Sequence, residues 1–354
     1  MKRLFYLFTI VTSAAHVYGQ TINNPESVEY DAANGRYLIS NRATPVSIQS
    51  LIPGQSPTLF ATGVSSPAGL EILNGKLWVC DGANIKSFNL STGALENTIN
   101  VGGVFLNGIT SDGSQFLFVS DFSANKIYRI NTVSLTSNVM VSSTGTQPNG
   151  MWYDGANNRL IFVSWGGSAP IKAISLADST VSTIMNTTLG NCDGIARDGQ
   201  GRYYISSWSQ SGVYRFDSDF TSQQQVLSGV SQGADIFYNT LNDTLAIPRT
   251  SGDAVTFHYF GTAGLESGSG GIAIDVFPNP AVDLLKIDIG TFLLDEIEIN
   301  LTDANGKQLD VKSLIKEKQN GVFVMNVDDL PRGAYFLKLT IGENNPVIRQ
   351  IQLR

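Results

Sequence analysis

Histidine is almost missing from this sequence. Only His16 and His258 occur in 354 residues, and His16 lies in a stretch that reads as a leader. A His-based zinc site or a Ser–His–Asp triad needs more imidazole than that, unless His258 itself falls in a site. Charge is scarce as well: 15% of residues are Asp, Glu, Lys or Arg, against roughly 25% in an ordinary soluble domain. The balance is acidic, with a net charge of −7, and a nucleic-acid partner would need a basic footprint. Two cysteines, Cys80 and Cys192, can pair outside the cytoplasm, but their places in the repeat described below argue against it. After the leader, no stretch approaches the ~18 uninterrupted apolar residues of a membrane span.

The leader has a basic start, Met1-Lys2-Arg3, and an apolar run from Leu4 to Ala15 that is too short to cross a bilayer. Val17-Tyr18-Gly19 ends it on a small residue, so residues 1–19 read as a secretory signal peptide cleaved before Gln20. The mature chain is expected to be exported through the periplasm and to end secreted or attached to the cell surface.

Glycine, by contrast, is plentiful at 35 residues, and it marks a repeat. A polar or Pro turn leads to a small residue and an apolar strand, then a Gly/Asn/Asp turn and a second strand. Pro67-Ala68-Gly69-Leu70, Leu106-Asn107-Gly108-Ile109, Pro148-Asn149-Gly150-Met151 and Cys192-Asp193-Gly194-Ile195 share this form. Anchors at Ser27, Gly69, Gly108, Gly150, Gly194 and Gly233 are spaced by 42, 39, 42, 44 and 39 residues. A unit of ~40–45 residues and about four strands has the length of a propeller blade. No unit buries both sheet faces alone, so six stack radially over residues 20–261. The small anchor lets first strands crowd together at the centre. No segment after Phe260 reads as a fourth strand for the last unit, and only Gln20 to Asn23 precede the first.

Residues 262–271, with Ser-Gly-Ser-Gly-Gly, read as a linker. Beyond it the composition shifts: residues 272–354 hold 21 charged residues in 83, against 30 in 252 for residues 20–271. Short alternating strands there predict a small β-sandwich. The fold class is therefore all-β, a six-bladed β-propeller plus a small C-terminal Ig-like β-sandwich. The sandwich opens on Val276-Phe277-Pro278-Asn279-Pro280, continues through Asp303-Ala304-Asn305-Gly306-Lys307 and closes with Gly333-Ala334-Tyr335-Phe336-Leu337-Lys338. It resembles the C-terminal sorting domain of the type IX secretion system over residues 272–354. That resemblance implies engagement with the type IX machinery, export across the outer membrane, removal of the domain, and release or attachment to surface lipopolysaccharide. Asp178-Ser179-Thr180 and Asp243-Thr244-Leu245 also resemble a bacterial O-glycosylation signal.

The residue leading into each first strand forms a ring at one propeller mouth: Glu26, Ala68, Asn107, Asn149, Asp193 and, shifted by a residue or two, Asp235. Carboxylates and amides converging on one axis supply hard oxygen ligands, which suit Ca²⁺. Asn-Gly and Asp-Gly are also turn signals in their own right, so local loop chemistry is the alternative at each position. Glu26 is the member least expected in a turn.

These positions resemble the gluconolactonase and senescence-marker-protein (regucalcin) propellers, over roughly residues 24–260. The resemblance implies that Glu26, Asn149 and Asp193 hold a divalent ion and that Asp193 is general base towards a lactone or ester. Asn107 and Asp235 would be secondary ligands or orienters. The family's substrate-orienting Arg is absent, since Val104-Phe105-Leu106 stands there. Propellers of the NHL-repeat type share the period and bind proteins or glycans without chemistry, which is the alternative function. Loops leaving the second strands add Arg42, Asp81, Asp121, Trp165, Trp208 and Arg249 to the rim, where aromatics can stack on a sugar or lactone or pack between blades. Cys80 and Cys192 fall three blades apart, too far for a bond that needs Cα atoms within ~7 Å.

Overall fold

A computed structural model describes residues 21–53, 55–260, 275–288, 297–303, 307–319, 322–341 and 347–354. The signal peptide and linker read from the sequence lie outside these residues. From Pro25 to Tyr259 the chain forms six antiparallel sheets, each a meander in chain order; five have four strands and the last has three. The innermost strands are Pro25–Asp31, Pro67–Leu73, Leu106–Ser111, Gln147–Asp154, Cys192–Arg197 and Phe237–Asn239.

Burial falls from the axis outward, as residue type dictates. Phe116–Asp121, a second strand, is buried at every position but its first. Gln223–Ser228, a fourth strand that opens on three glutamines, has no buried position. Six apolar clusters fill the six gaps between adjacent blades. One joins Leu38 and Ile48 of blade one to Leu70 and Leu77 of blade two. The cluster that completes the circle joins Val28, Tyr37 and Ile39 of blade one to Ala246 of blade six. A propeller buries its sheets only by stacking, and here no sheet face lacks a neighbour.

The crowding expected at the centre is present. A Cβ on Gly69 would sit 2.2 Å from the Asn107 carbonyl oxygen, and one on Gly108 would sit 2.3 Å from that of Asn149. One on Gly194 would lie 2.4 Å from the Ile236 amide nitrogen and 2.7 Å from the Asp235 Cα. The sixth anchor is therefore Asp235, not Gly233. Asp235 bridges Ser27 in parallel register, and its N–H donates to the Glu26 carbonyl at 2.8 Å. The shift follows from the shortness of the sixth inner strand, which pairs regularly only from Phe237 to Asn239.

Closure uses the first blade directly. Besides the Asp235–Glu26 bond, Thr250 Oγ1 donates to the Pro25 carbonyl at 3.1 Å and Asn239 Nδ2 to the Tyr37 hydroxyl at 3.1 Å. Among the described residues no fourth strand joins Ala254–Tyr259.

The C-terminal part is a sandwich of two four-stranded sheets. Leu285, Ile287, Phe323 and Met325 of one sheet meet Leu301, Leu337, Leu339 and Ile351 of the other, forming a core separate from the propeller's. No helix among the described residues is long and apolar enough to cross a membrane.

Candidate ligand site at the propeller axis

Each of the first five inner strands slips register near its start, as between Pro25 and Val28 or between Cys192 and Ile195. The bulge re-aims one side chain per blade. It also frees backbone N–H groups, and serines of the second strands take them up. Ser27 N–H donates to Ser40 Oγ, Gly108 N–H to Ser120 Oγ and Gly194 N–H to Ser206 Oγ, each at 2.8 Å. Ser120 and Ser206 then donate to the Asn149 and Ala234 carbonyls of the next blade, at 2.9 and 2.8 Å. Cys80 sits opposite the Ala68-Gly69 bulge in the place these serines hold. Cys80 and Cys192 are both buried free thiols.

The bulges bring Glu26, Asn107, Asn149 and Asp193 into one well. Their exposures are 4, 4, 2 and 2%. Asn107 Nδ2 donates to Asn149 Oδ1 at 2.7 Å, and Asn149 Nδ2 to the Cys192 carbonyl at 3.3 Å. Arg42 reaches in from the rim and donates to Glu26 Oε2 at 3.0 Å. Burial raises the Glu26 carboxyl above its usual range, with Arg42 pulling the other way. Burial also pushes Asp193 far up, and the nearby charges of Glu26 and Asp235 push further. Arg42 and the indole N–H of Trp208 act in the opposite sense on Asp193. Asp193 Oδ1 and Trp208 Nε1 are both buried, and neither makes a hydrogen bond of good geometry.

Asp235 is half-buried and lies one residue deeper, accepting from Ser27 Oγ at 2.8 Å. Burial brings it to about 7, with Glu26 adding to the rise.

Over the well runs an arc of half-buried rings from blades three to five. Phe105 meets Phe122 at 5.9 Å between centroids, Phe122 meets Trp165 at 5.8 Å, and Trp165 meets Trp208 at 5.1 Å. Arg42 caps one end, 5.4 Å from the Phe105 centroid. Two of these rings, Phe105 and Phe122, escape a reading of the sequence as turns and strands, because they sit in loops. The available signal is that Phe105 directly precedes an inner strand and Phe122 directly follows a second strand.

The remaining rim residues are placed elsewhere. Asp121 is fully buried beneath the arc, where it accepts the N–H groups of Val104, Phe105 and Ala124 at 2.8, 3.1 and 3.0 Å. It braces the loop that carries Phe105. Asp81 does the same in blade two, accepting from Ser65 and Ser66 N–H and pairing with Lys86. Arg249 donates to the Gly229 carbonyl at 3.0 Å. His258 lies on the outermost strand of blade six, its pKa lowered to about 4 by burial and by Arg249. It takes no part in the well.

Among the described residues no three His, Cys, Asp or Glu side chains come close enough together to hold a metal ion. A cation here would have to draw on amide oxygens as well. The donor chemistry fits that demand: Asp193 Oδ1 has no partner, and Glu26 and Asn149 each keep unused oxygen lone pairs.

Comparison with known proteins settles the C-terminal part. Residues 275–353 match the family described as "Secretion system C-terminal sorting domain". This tail marks the chain for type IX secretion. A tail of this kind goes with a secreted or cell-surface protein. No curated protein matches the chain in sequence. Solved structures that resemble it are propeller-like and diverse. A Bacteroides thetaiotaomicron protein of unknown function aligns with TM-score 0.56 and 11% identity, over 67% of this chain and 70% of that one. A luciferin-regenerating enzyme aligns with TM-score 0.55 and 13% identity, over 65% and 85%. A chain of a nidogen/laminin complex aligns with TM-score 0.50 and 11% identity, over 66% and 92%. An enzyme and a protein-binding assembly on one scaffold show that the likeness is one of fold.

Proposed function

We propose that this exported chain presents a propeller whose axial well binds a small polyhydroxylated ligand, a sugar or its cyclic ester. One observation carries the reading: Asp193 Oδ1 is buried with no donor in good hydrogen-bond geometry, Trp208 Nε1 being the nearest candidate, beneath an aromatic arc that includes that indole. A buried, unsatisfied carboxylate oxygen is costly, and a ligand hydroxyl would satisfy it. The rings offer flat apolar faces to the C–H face of a sugar ring. Export by a signal peptide over residues 1–19 and removal of the tail after sorting belong to the same reading.

The test is titration of the purified protein with a panel of monosaccharides and aldonolactones, followed by tryptophan fluorescence. Saturable change from Trp165 and Trp208, weakened tenfold or more (about 1.4 kcal/mol) in Asp193→Asn, is expected. A panel without any saturable response, or an unaltered Asp193→Asn, rules it out.

A second reading, a lactone or ester hydrolase assisted by Ca²⁺, draws on the meeting of Glu26, Asn149 and Asp193 in one all-oxygen well. Glu26, Asn149 and Asp193 would hold the ion, with Asn107 and Asp235 in support. The ion would supply polarisation of the ester carbonyl. Asp193 would accept the proton from the attacking water only as the carboxylate, and a bound cation would offset the burial that otherwise favours its protonated form. Hydrolysis of a simple lactone that is lost with EDTA, restored by Ca²⁺ and absent in Asp193→Ala supports this. Binding without turnover leaves the first reading standing alone.

A further inference from the structure

The axis has a second mouth. The inner strands run in parallel directions around the ring and carry the chain past the well. Three residues of extended strand cover roughly 10 Å. There they surround a cavity of about 330 Å³ whose lining includes Glu29, Glu71, Asp235, Trp152, Tyr153 and Tyr238. Glu29 and Glu71 occupy equivalent places, two residues beyond the anchors Ser27 and Gly69.

These carboxyls have little to neutralise them. Ser111 Oγ donates to Glu71 at 2.5 Å and Ser27 Oγ to Asp235 at 2.8 Å. Arg197 also lines the cavity, but its guanidinium donates to the Gly201 carbonyl at 3.1 Å and stacks on the Tyr203 ring. Asp193 is not among the lining residues; it lies on the well side of Asp235, whose charge it feels. Burial and the charges of Glu71 and Asp235 push Glu29 well up; burial brings Glu71 to about 7. The acids are nevertheless too dispersed for any three to share a metal ion. Spaced carboxylates between aromatic walls suit a longer cation with an apolar body, which gains ion pairing and cation–π contact together.

We propose that this second mouth binds a linear alkylammonium ligand. Its terminal ammonium pairs with Glu29 and Glu71, its methylenes lie along Trp152, Tyr153 and Tyr238, and a further ammonium reaches Asp235. The site opens on the mouth opposite the sugar well, with Asp235 between the two, and its pairing with Glu29 and Glu71 uses no residue of that well.

Calorimetric titration of the purified full chain with spermidine, and separately with CaCl₂, tests the proposal. One spermidine per chain is expected. Glu29→Gln, Glu71→Gln and Trp152→Ala each weaken binding roughly tenfold or more, while Asp178→Asn on the exposed surface leaves it unchanged. Circular dichroism confirms that each variant is folded; where a Glu variant is not, Trp152→Ala carries the test. Absence of a saturable heat overturns the proposal. So does equal weakening by Asp178→Asn, which would mean diffuse attraction to an acidic protein. Calcium binding with the same dependence on Glu29 and Glu71 would make this a metal site and overturn it as well.

Discussion

Glu71 and Asp81 are both shielded carboxyls, yet their surroundings give them opposite signatures with pH. Glu71 lies among other acids, and its burial brings the folded-state value to about 7. The folded protein therefore holds this proton more tightly than the unfolded chain does. Its contribution to stability is full below about pH 4.5 and declines as pH rises towards 7. Glu71→Gln, which keeps an oxygen for Ser111, should raise the unfolding free energy at pH 8 by roughly 1–3 kcal/mol and leave it unchanged at pH 4. Burial also works against ionisation of Asp81, but Lys86 and the N–H groups of Ser65 and Ser66 outweigh it and hold the carboxyl below its usual range. That contribution is present above the ordinary value and lost as pH falls through the lowered one. Asp81→Asn should cost about 1–3 kcal/mol at pH 7, with the loss shrinking in acid. Chemical denaturation at several pH values checks both.

At the scale of the strand and its bulge, the glycine anchors make a sharper prediction. Gly150→Ala would drive a methyl to 2.6 Å from the Asp193 carbonyl oxygen and 2.9 Å from the Gly194 Cα. Both obstacles are backbone, so the inner strands must part, at a cost of roughly 2–3 kcal/mol or more. Gly167→Ala, whose added methyl would meet nothing within 4 Å, should stay within about 0.5 kcal/mol of the parent. Ser206→Ala removes both the acceptor for Gly194 N–H and the donor to Ala234. It should cost about 1–3 kcal/mol by thermal melting and loosen blade five from blade six.

These same elements show what the chain discloses before folding. Gly69, Gly108, Gly150 and Gly194 announce the repeat because backbone crowding admits no other side chain there. Their neighbours Asn107, Asn149 and Asp193 consequently reveal the well. Asp235 is legible as a member of the axis but not at its true depth, because blade six is short and the register shift that lowers it leaves no mark in the spacing. Glu29 and Glu71 look like ordinary polar positions of alternating strands. Only their shared offset from the anchors sets them apart. Phe105 and Phe122 join the arc through loop geometry, which no periodicity encodes, and Ser40, Ser120 and Ser206 act through bonds across a bulge that hydrophobic pattern does not register.

For the whole molecule, the separate cores of ring and tail predict two unfolding events. The sandwich packs on its own apolar residues, whereas each inter-blade cluster draws on two blades. Calorimetry of the full chain should resolve two transitions, and proteolytic removal of the tail should abolish one while leaving the other in place. A single transition that broadens or vanishes on removal of the tail would contradict this separation.

The seam between Pro25 and Thr250 also has a temporal meaning. Bonds that join residues 225 positions apart cannot form until nearly the entire polypeptide is available, and distant pairings delay folding. Five blades can assemble as an open arc while the first edge waits for a partner still to come. A truncated product ending before residue 237 would keep that edge bare, exposing Val28 and Ile39 to any sticky neighbour. Completion of the circle thus doubles as a proofreading step on chain length.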